Sequence, residues 1–491
     1  MKGEVEVITK LSRPIAGTRD PDKNSSNISK WKLCWAESIS PHSQSKFSTP
    51  RNICNSSYIA DMETVQEPSV SQEEIRGRIE PKSRRAGGTE SSWCKAVPGG
   101  TGITVLALLL SKPLDFPVFQ TALHKIQNAH PILNSKLHYD HATNSWSYNT
   151  FPSPQLQIQS FDLSSTSEIL QGFLNDPNQT SISPFHLILE HEMNRNSWIR
   201  PDPSSNTDWE LFFVTVYALP GDKYTVTLRL HTSVCDRMTA VSLLRKLVEL
   251  MSVDEQGMQW EIEKRMEVNL GIEDYVPSGK GNKPIWARGV DMLGYSLNSF
   301  RLSNLNFLDT DSPRSSRVVR LQINPEDTQK ILAIIVNKNQ GCESRGIKLC
   351  GVLAAAGLIA AHTSKGFPDD HWEKYAVVTL IDCRSILDPV LTSNHLGFYH
   401  SAILNTHDLK GGEELWELAK RAYTSFVNAK RNNKHFTDMA DVNFLMCKAI
   451  DNPGLTPSSS LRTSLISIQI VGQPKRRINP EAFRIQKAGH S

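Results

Sequence analysis

The sequence lacks most of the signals that would assign it directly to a function class. None of its eight cysteines (Cys34, Cys54, Cys94, Cys235, Cys342, Cys350, Cys383 and Cys447) stands in a CxxC pair. Neither a zinc site nor a disulfide framework is therefore indicated, and free thiols in a reducing compartment are expected. No metal-ligand cluster, phosphate-cradling glycine loop or GxSxG elbow occurs. The run Pro98-Gly99-Gly100-Thr101-Gly102 precedes a strand pattern and reads as a turn. Charge of neither sign prevails: the net value is +3 over 491 residues. That balance gives no electrostatic case for nucleic acid or a membrane surface. Long apolar runs are missing too. ITVLALLL (103–110) and GVLAAAGLIAA (351–361) are too short to cross a bilayer, and the opening MKGEVEVITKLSRP has no apolar signal core. A cytoplasmic protein without a membrane span is expected.

What is present divides the chain unevenly. Residues 1–86 are rich in Ser, Asn, Pro and charge without an apolar period, and are expected to be a disordered extension. Met62 opens METVQEPSVSQEE, which resembles an ordinary start, so residues 1–61 are expected to be dispensable. From residue 87 the pattern changes. ITVLALLLSK reads as a buried strand, and Phe119, Leu123, Ile126 and Ala129 recur at helical spacing until Pro131. SKLHYD, SWSYNT and LQIQSF read as short strands. WELFFVTVYAL (209–219) and KYTVTLRLHTSV (223–234) flank Pro220-Gly221-Asp222, a hairpin signature. After Asp236 the period becomes helical, with Met238, Val241, Leu244, Val248 and Met251 on one stripe. Residues 271–315 read as a crossover linker. RVVRLQI, the helices EDTQKILAIIVNK, GVLAAAGLIAAH and 413–430, and the strands YAVVTLIDC and LISIQIV follow. The expected organisation is two α/β (α+β) sandwich subdomains, 87–270 and 316–470, with a basic tail at 471–491.

The stretch RLHTSVCDRMTAVSLLRKL (229–247) sits where the hairpin meets the helix, and puts His231 five places before Asp236. Hairpin, histidine, aspartate and amphipathic helix resemble the HHxxxDG motif of condensation domains, in the superfamily that includes chloramphenicol acetyltransferase and the plant HxxxD acyltransferases. Three further stretches are similar to family segments in the same order: ALHKIQNAHPILNSKL (122–137), GIKLCGVLAAAGLIAAH, and TLIDCRSILDPVLTSNHLGFYHSAI (379–403). The resemblance covers roughly residues 90 to 468 and is nearest to the plant condensation-domain-like proteins of unassigned activity. It implies two chloramphenicol acetyltransferase-like subdomains with a channel between them. An acyl thioester, on CoA or a carrier-protein pantetheine, enters from one face and a small-molecule acceptor from the other. The second histidine of the motif deprotonates the acceptor hydroxyl or amine, a task suited to an imidazole. The motif aspartate is structural and pairs with the arginine of the later segment, here Arg384.

The chain departs from that pattern at the base. Laid on HHxxxDG, it reads His231-Thr232-Ser233-Val234-Cys235-Asp236-Arg237, so the base position holds Thr232. Alternation along a strand turns His231 away from the channel and Thr232 into it, and a threonine hydroxyl is no general base near neutral pH. Only a bulge at Ser233 would bring His231 round. Asp236 also stands where a helix N-cap belongs. Cys235 reads as a buried, inert thiol. His400, in GFYHS, lies where the channel is expected and is a candidate substitute base. The resemblance also implies a DFGWG-like segment after LISIQIV. Here GQPKRRINPEAFRIQKAGHS follows, and the second subdomain is expected to be incomplete.

Two functions fit. One is an acyltransferase, moving an acyl group from a CoA or carrier thioester to a hydroxyl or amine, with His231 or a neighbour as base and Asp236 and Arg384 as scaffold. The other is a catalytically degenerate scaffold that binds a ligand or partner. Neither needs a catalytic cofactor or metal; CoA or pantetheine would be part of the substrate.

Overall fold

The computed structural model describes residues 4–9, 82–152, 156–174, 182–199, 208–251, 268–302, 316, 324–336, 341–451 and 465–470. The first half contains strands β1 (Glu4–Thr9), β2 (Lys82–Arg85), β3 (Ile103–Leu110), β4 (Ser135–Asp140), β5 (Ser145–Thr150), β6 (Ile158–Phe161), β7 (Trp209–Glu210), β8 (Phe212–Leu219) and β9 (Lys223–His231). Its helices are α1 (Gly88–Ala96), α2 (Phe116–Ala129), α3 (Leu163–Leu174), α4 (Pro184–Asn194) and α5 (Arg237–Met251). α6 (Ile285–Arg301) follows, then the second half with α7 (Pro325–Val336), α8 (Leu349–Thr363), β10 (Trp372–Asp382), β11 (His400–Lys410), α9 (Leu415–Arg431), α10 (Lys434–Thr437), α11 (Met439–Asp451) and β12 (Leu465–Ile470).

The first subdomain is built on a five-stranded sheet in the order β1-β3-β9-β8-β6. The period-two side chains of its strands divide between two cores. Leu106, Leu108, Val214, Val216, Val226, Leu228 and Leu230 pack under Phe119, Leu123 and Ile126 of α2 and Leu243, Leu244 and Leu247 of α5. Ile103, Val105 and Ala107 face the other way, onto Phe185, Leu189 and Met193 of α4 and onto Trp198. A second sheet, β2-β5-β4-β7, adds Leu137, Trp146 and Tyr148 to the first core. In the second subdomain α8 and α9 cover the sheet β11-β10-β12 through Ala354, Leu358, Leu418 and Ala422 against Tyr375 and Val377. The result is two α/β sandwich subdomains. Among the described residues no helix is long and apolar enough to cross a membrane.

Several expectations change. β1 and β2 both lie within 1–86; β1 pairs antiparallel with β3, from Glu4 opposite Leu109 to Thr9 opposite Thr104. The rest of that region, the RVVRLQI strand and the 471–491 tail lie outside the described residues. The linker contains α6, whose helical character is masked in the sequence by a flanking run of Pro, Gly and Lys. The buried face of α5 is Ala240, Leu243, Leu244, Leu247 and Met251, whereas Met238 and Val241 are half-buried. The strand expected over 223–234 stops at His231. Thr232–Val234 form a 3-10 turn.

Candidate active site

That turn decides the fate of the motif. The Ser233 N–H donates to His231 Nδ1 at 3.2 Å, and the Ser233 hydroxyl lies 2.7 Å from the same nitrogen. The imidazole thus caps the turn that follows its own strand. With Nδ1 accepting, the proton of the neutral ring is on Nε2, which has no hydrogen-bond partner among the described residues. The ring stands edge-on to Trp198 at 5.4 Å, on the α4 side of the sheet. Burial pushes its pKa down to about 3. His231 therefore faces away from the junction of the halves, as strand alternation requires. Thr232 does not simply face the opposite way, because it begins a turn instead of continuing the strand. Its N–H bonds Gly102 O at 3.0 Å, and its hydroxyl lies 2.9 Å from the Thr104 hydroxyl. The feature at Ser233 is a turn rather than a bulge. α1 covers it, and fully buried Cys94 and Tyr148 lie close enough to Ser233 to interact. Burial pushes the thiols of Cys94 and Cys235 up, which removes both as thiolate nucleophiles at neutral pH.

Asp236 is where the two halves meet. Its Oδ1 accepts the Thr239 N–H at 2.8 Å, capping α5. The same oxygen accepts Arg384 Nη2 at 3.1 Å. Oδ2 lies 2.8 Å from Arg384 Nη1, accepts the Tyr399 N–H at 2.8 Å, and lies 3.0 Å from His400 Nδ1. Arg384 also reaches Asp382 Oδ1 at 3.0 Å, the Thr239 hydroxyl at 3.1 Å and His395 O at 3.2 Å, and lies 4.9 Å over the Tyr399 ring. The Asp236 side chain is 1% exposed and those of Arg384 and His400 3%. Burial alone would raise the carboxyl pKa. Arg384 and His400 beside it instead hold it well below the usual carboxylate range. Asp236 is therefore an anion at any working pH, and this sets the geometry around it. His400 Nδ1 is the ring nitrogen that faces this carboxylate.

The backbone of 396–400 makes this convergence possible. Gly397 O accepts both the Asp236 N–H at 3.2 Å and the Thr239 hydroxyl at 2.9 Å. Gly397 has φ 153°, and a Cβ there would stand 2.8 Å from the Tyr399 ring. No other residue fits. Phe398, next along, packs at a tilt against Trp93 of α1 at 5.4 Å and lies 6.1 Å from His400. The structure thus brings Asp236, Arg384 and His400 into one cluster and leaves His231 outside it. Thr239, Asp382, Gly397 and the Tyr399 N–H belong to the cluster but were not read from the sequence. Two of them left a signal: Thr239 stands three places after a capping aspartate, and Asp382 two before the arginine.

A two-subdomain α/β architecture of this kind is found in condensation domains. Among solved structures, the chain is similar to the first condensation domain of the calcium-dependent antibiotic synthetase bound to substrate analogue 2a. That match has 13% identity and a TM-score of 0.50, and covers 74% of this chain and 78% of that one. The same domain bound to analogue 3a matches with 14% identity and a TM-score of 0.50, over 80% and 82% of the two chains. Polyketide synthase associated protein 5 from Mycobacterium tuberculosis matches with 13% identity and a TM-score of 0.49, over 72% and 75%. No family model matches the sequence, and no curated protein matches it. The chain has the condensation-domain fold, with its two chloramphenicol acetyltransferase-like subdomains.

Proposed function

We propose that the chain transfers an acyl group from a thioester, on a carrier-protein pantetheine or CoA, to an amine or hydroxyl acceptor, with His400 as general base. The observation that carries this reading is the Asp236–His400 pair at 3.0 Å. A carboxylate that stays ionised holds the imidazole with its Nδ1 protonated, so that Nε2 is the basic atom. His400 Nε2 takes the proton of the acceptor as its nitrogen or oxygen attacks the thioester carbonyl. The tetrahedral intermediate collapses, the carbon–sulfur bond breaks, and the departing thiolate takes the proton from His400. The products are an amide or ester and a free thiol. Asp236 and Arg384 touch neither reactant and act as positioning residues. Free thiols at the six described cysteines suit a reducing compartment, the cytoplasm.

A second reading has specific support: His231 caps a turn and Thr232 is bonded to Thr104, which is consistent with a scaffold that binds a thioester without turning it over. One experiment separates the two. The full chain is given acyl-CoA and acyl-carrier donors with amine and alcohol acceptors, product is followed by mass spectrometry, and the melting temperature is read with each donor. Transfer that falls about 10²–10⁴-fold in His400→Ala, with the donor-induced melting shift intact, is the expected result. A donor-induced shift without product from any pair establishes the binding scaffold. Full activity in His400→Ala overturns the base assignment alone.

A further inference from the structure

α6 carries an apolar stripe that is exposed among the described residues. Trp286, Val290, Leu293 and Leu297 are 74, 61, 60 and 50% exposed, and Ile285 at the helix start is 89% exposed. Their spacing of four, three and four residues is that of one seam between two paired helices. The opposite side of the helix is fixed to the second subdomain. Lys283, just before the helix, reaches Asp291 at 2.6 Å, Asp438 at 2.9 Å and Asp441 at 2.8 Å, and the Tyr295 hydroxyl donates to Asp438. The stripe is thus presented on a docked element.

Two glycines flank the seam, Gly289 between Trp286 and Leu293, and Gly294 between Val290 and Leu297. A Cβ at either would meet nothing within 4 Å. Glycine inside a helix is less stable than alanine, and no contact among the described residues requires it here. A second backbone approaching closely would require it.

We propose that two copies of the chain pair through α6, seam against seam. A second copy supplies an identical apolar helix, and a two-fold contact is self-complementary. The five exposed side chains offer about 600 Å² on one copy, or about 1,200 Å² for the pair, the lower bound of stable, specific interfaces. A reversible dimer follows. This interface is independent of acyl transfer.

Sedimentation velocity of the full chain over a wide concentration range tests it. The expected result is a concentration-dependent dimer. Leu293→Asp should weaken it at least about 100-fold without lowering the melting temperature at low concentration. Gly289→Gln supplies a fold-safe second test. It adds helix propensity and meets no described residue, so the monomer should melt no lower while the dimer dissociates more readily. A monomer at every concentration overturns the proposal, and so does a dimer that both variants leave intact.

Discussion

At the scale of single residues, Asp236 is the side chain on which most depends. It caps α5, neutralises Arg384 and faces His400, all with one buried carboxylate. Breaking a buried pair on one side leaves the other charge uncompensated, which typically costs about 3–5 kcal/mol. Asp236→Asn is therefore expected to lower stability by about that much in chemical denaturation. Arg384→Lys should not behave as a silent change, because a single ammonium cannot meet Asp236, Asp382, Thr239 and His395 O together. A double-mutant cycle on Asp236 and Arg384 should show coupling well above that of a surface pair, about 0–1 kcal/mol; coupling within that range would contradict the latch. Part of this site could be read from the sequence. Asp236 as a cap follows from its place before a helical period, and Arg384 came through the resemblance. His400 was placed only by its neighbourhood in GFYHS. What the sequence could not convey is the 3-10 turn after His231, because a turn that a strand's own last side chain caps has no glycine or proline to announce it.

At the scale of elements, periodicity explains which pieces were legible. The β8–β9 hairpin, α2 and α8 each bury a continuous apolar pattern, and each was anticipated within a few residues. α1 was not, since three of its five buried residues, Thr89, Glu90 and Ser92, are polar. They are satisfied by hydrogen bonds: Arg84 holds Glu90 at 2.8 Å, Glu273 accepts both the Thr89 N–H and hydroxyl at 2.6 Å, and the Ser92 hydroxyl donates to Gly88 O at 3.0 Å. Hydrophobic patterning cannot reveal a helix buried through hydrogen bonds. α6 was likewise hidden, its docking entrusted to Lys283. That ammonium is 7% exposed and faces Asp438 and Asp441, each 5% exposed. Lys283→Met removes the cation and leaves like charges together. Its expected effect is a destabilisation of about 3 kcal/mol, with faster amide exchange concentrated in 285–301 and 434–451. Protection unchanged in α6 would mean that the helix is held by something other than this charge cluster.

At the scale of the whole molecule, the packing of histidines sets the response to acid. Burial lowers the pKa of His191 and His395, takes His231 to about 3, and takes His407 and His435 to about 4. Each is neutral in the folded chain at neutral pH and titrates near the ordinary histidine value of 6.5 when unfolded. Between those values the unfolded state binds more protons than the folded state, so stability falls as pH falls. For His231, His407 and His435 the contribution is complete above 6.5 and is lost progressively down to about 3–4. Asp236 works in a lower window. Its folded pKa is depressed below 3.8, so its contribution is lost only as pH drops under that value. Urea midpoints should therefore decline from pH 6.5 downward. His231→Asn should flatten that decline while lowering the midpoint at neutral pH, because the asparagine does not titrate and caps the turn less well. A midpoint that is level, or that rises on acidification to pH 4.5, would show that these imidazoles take up protons in the folded chain. The buried ring of His231 would then be far more open to water than its place behind Trp198 allows.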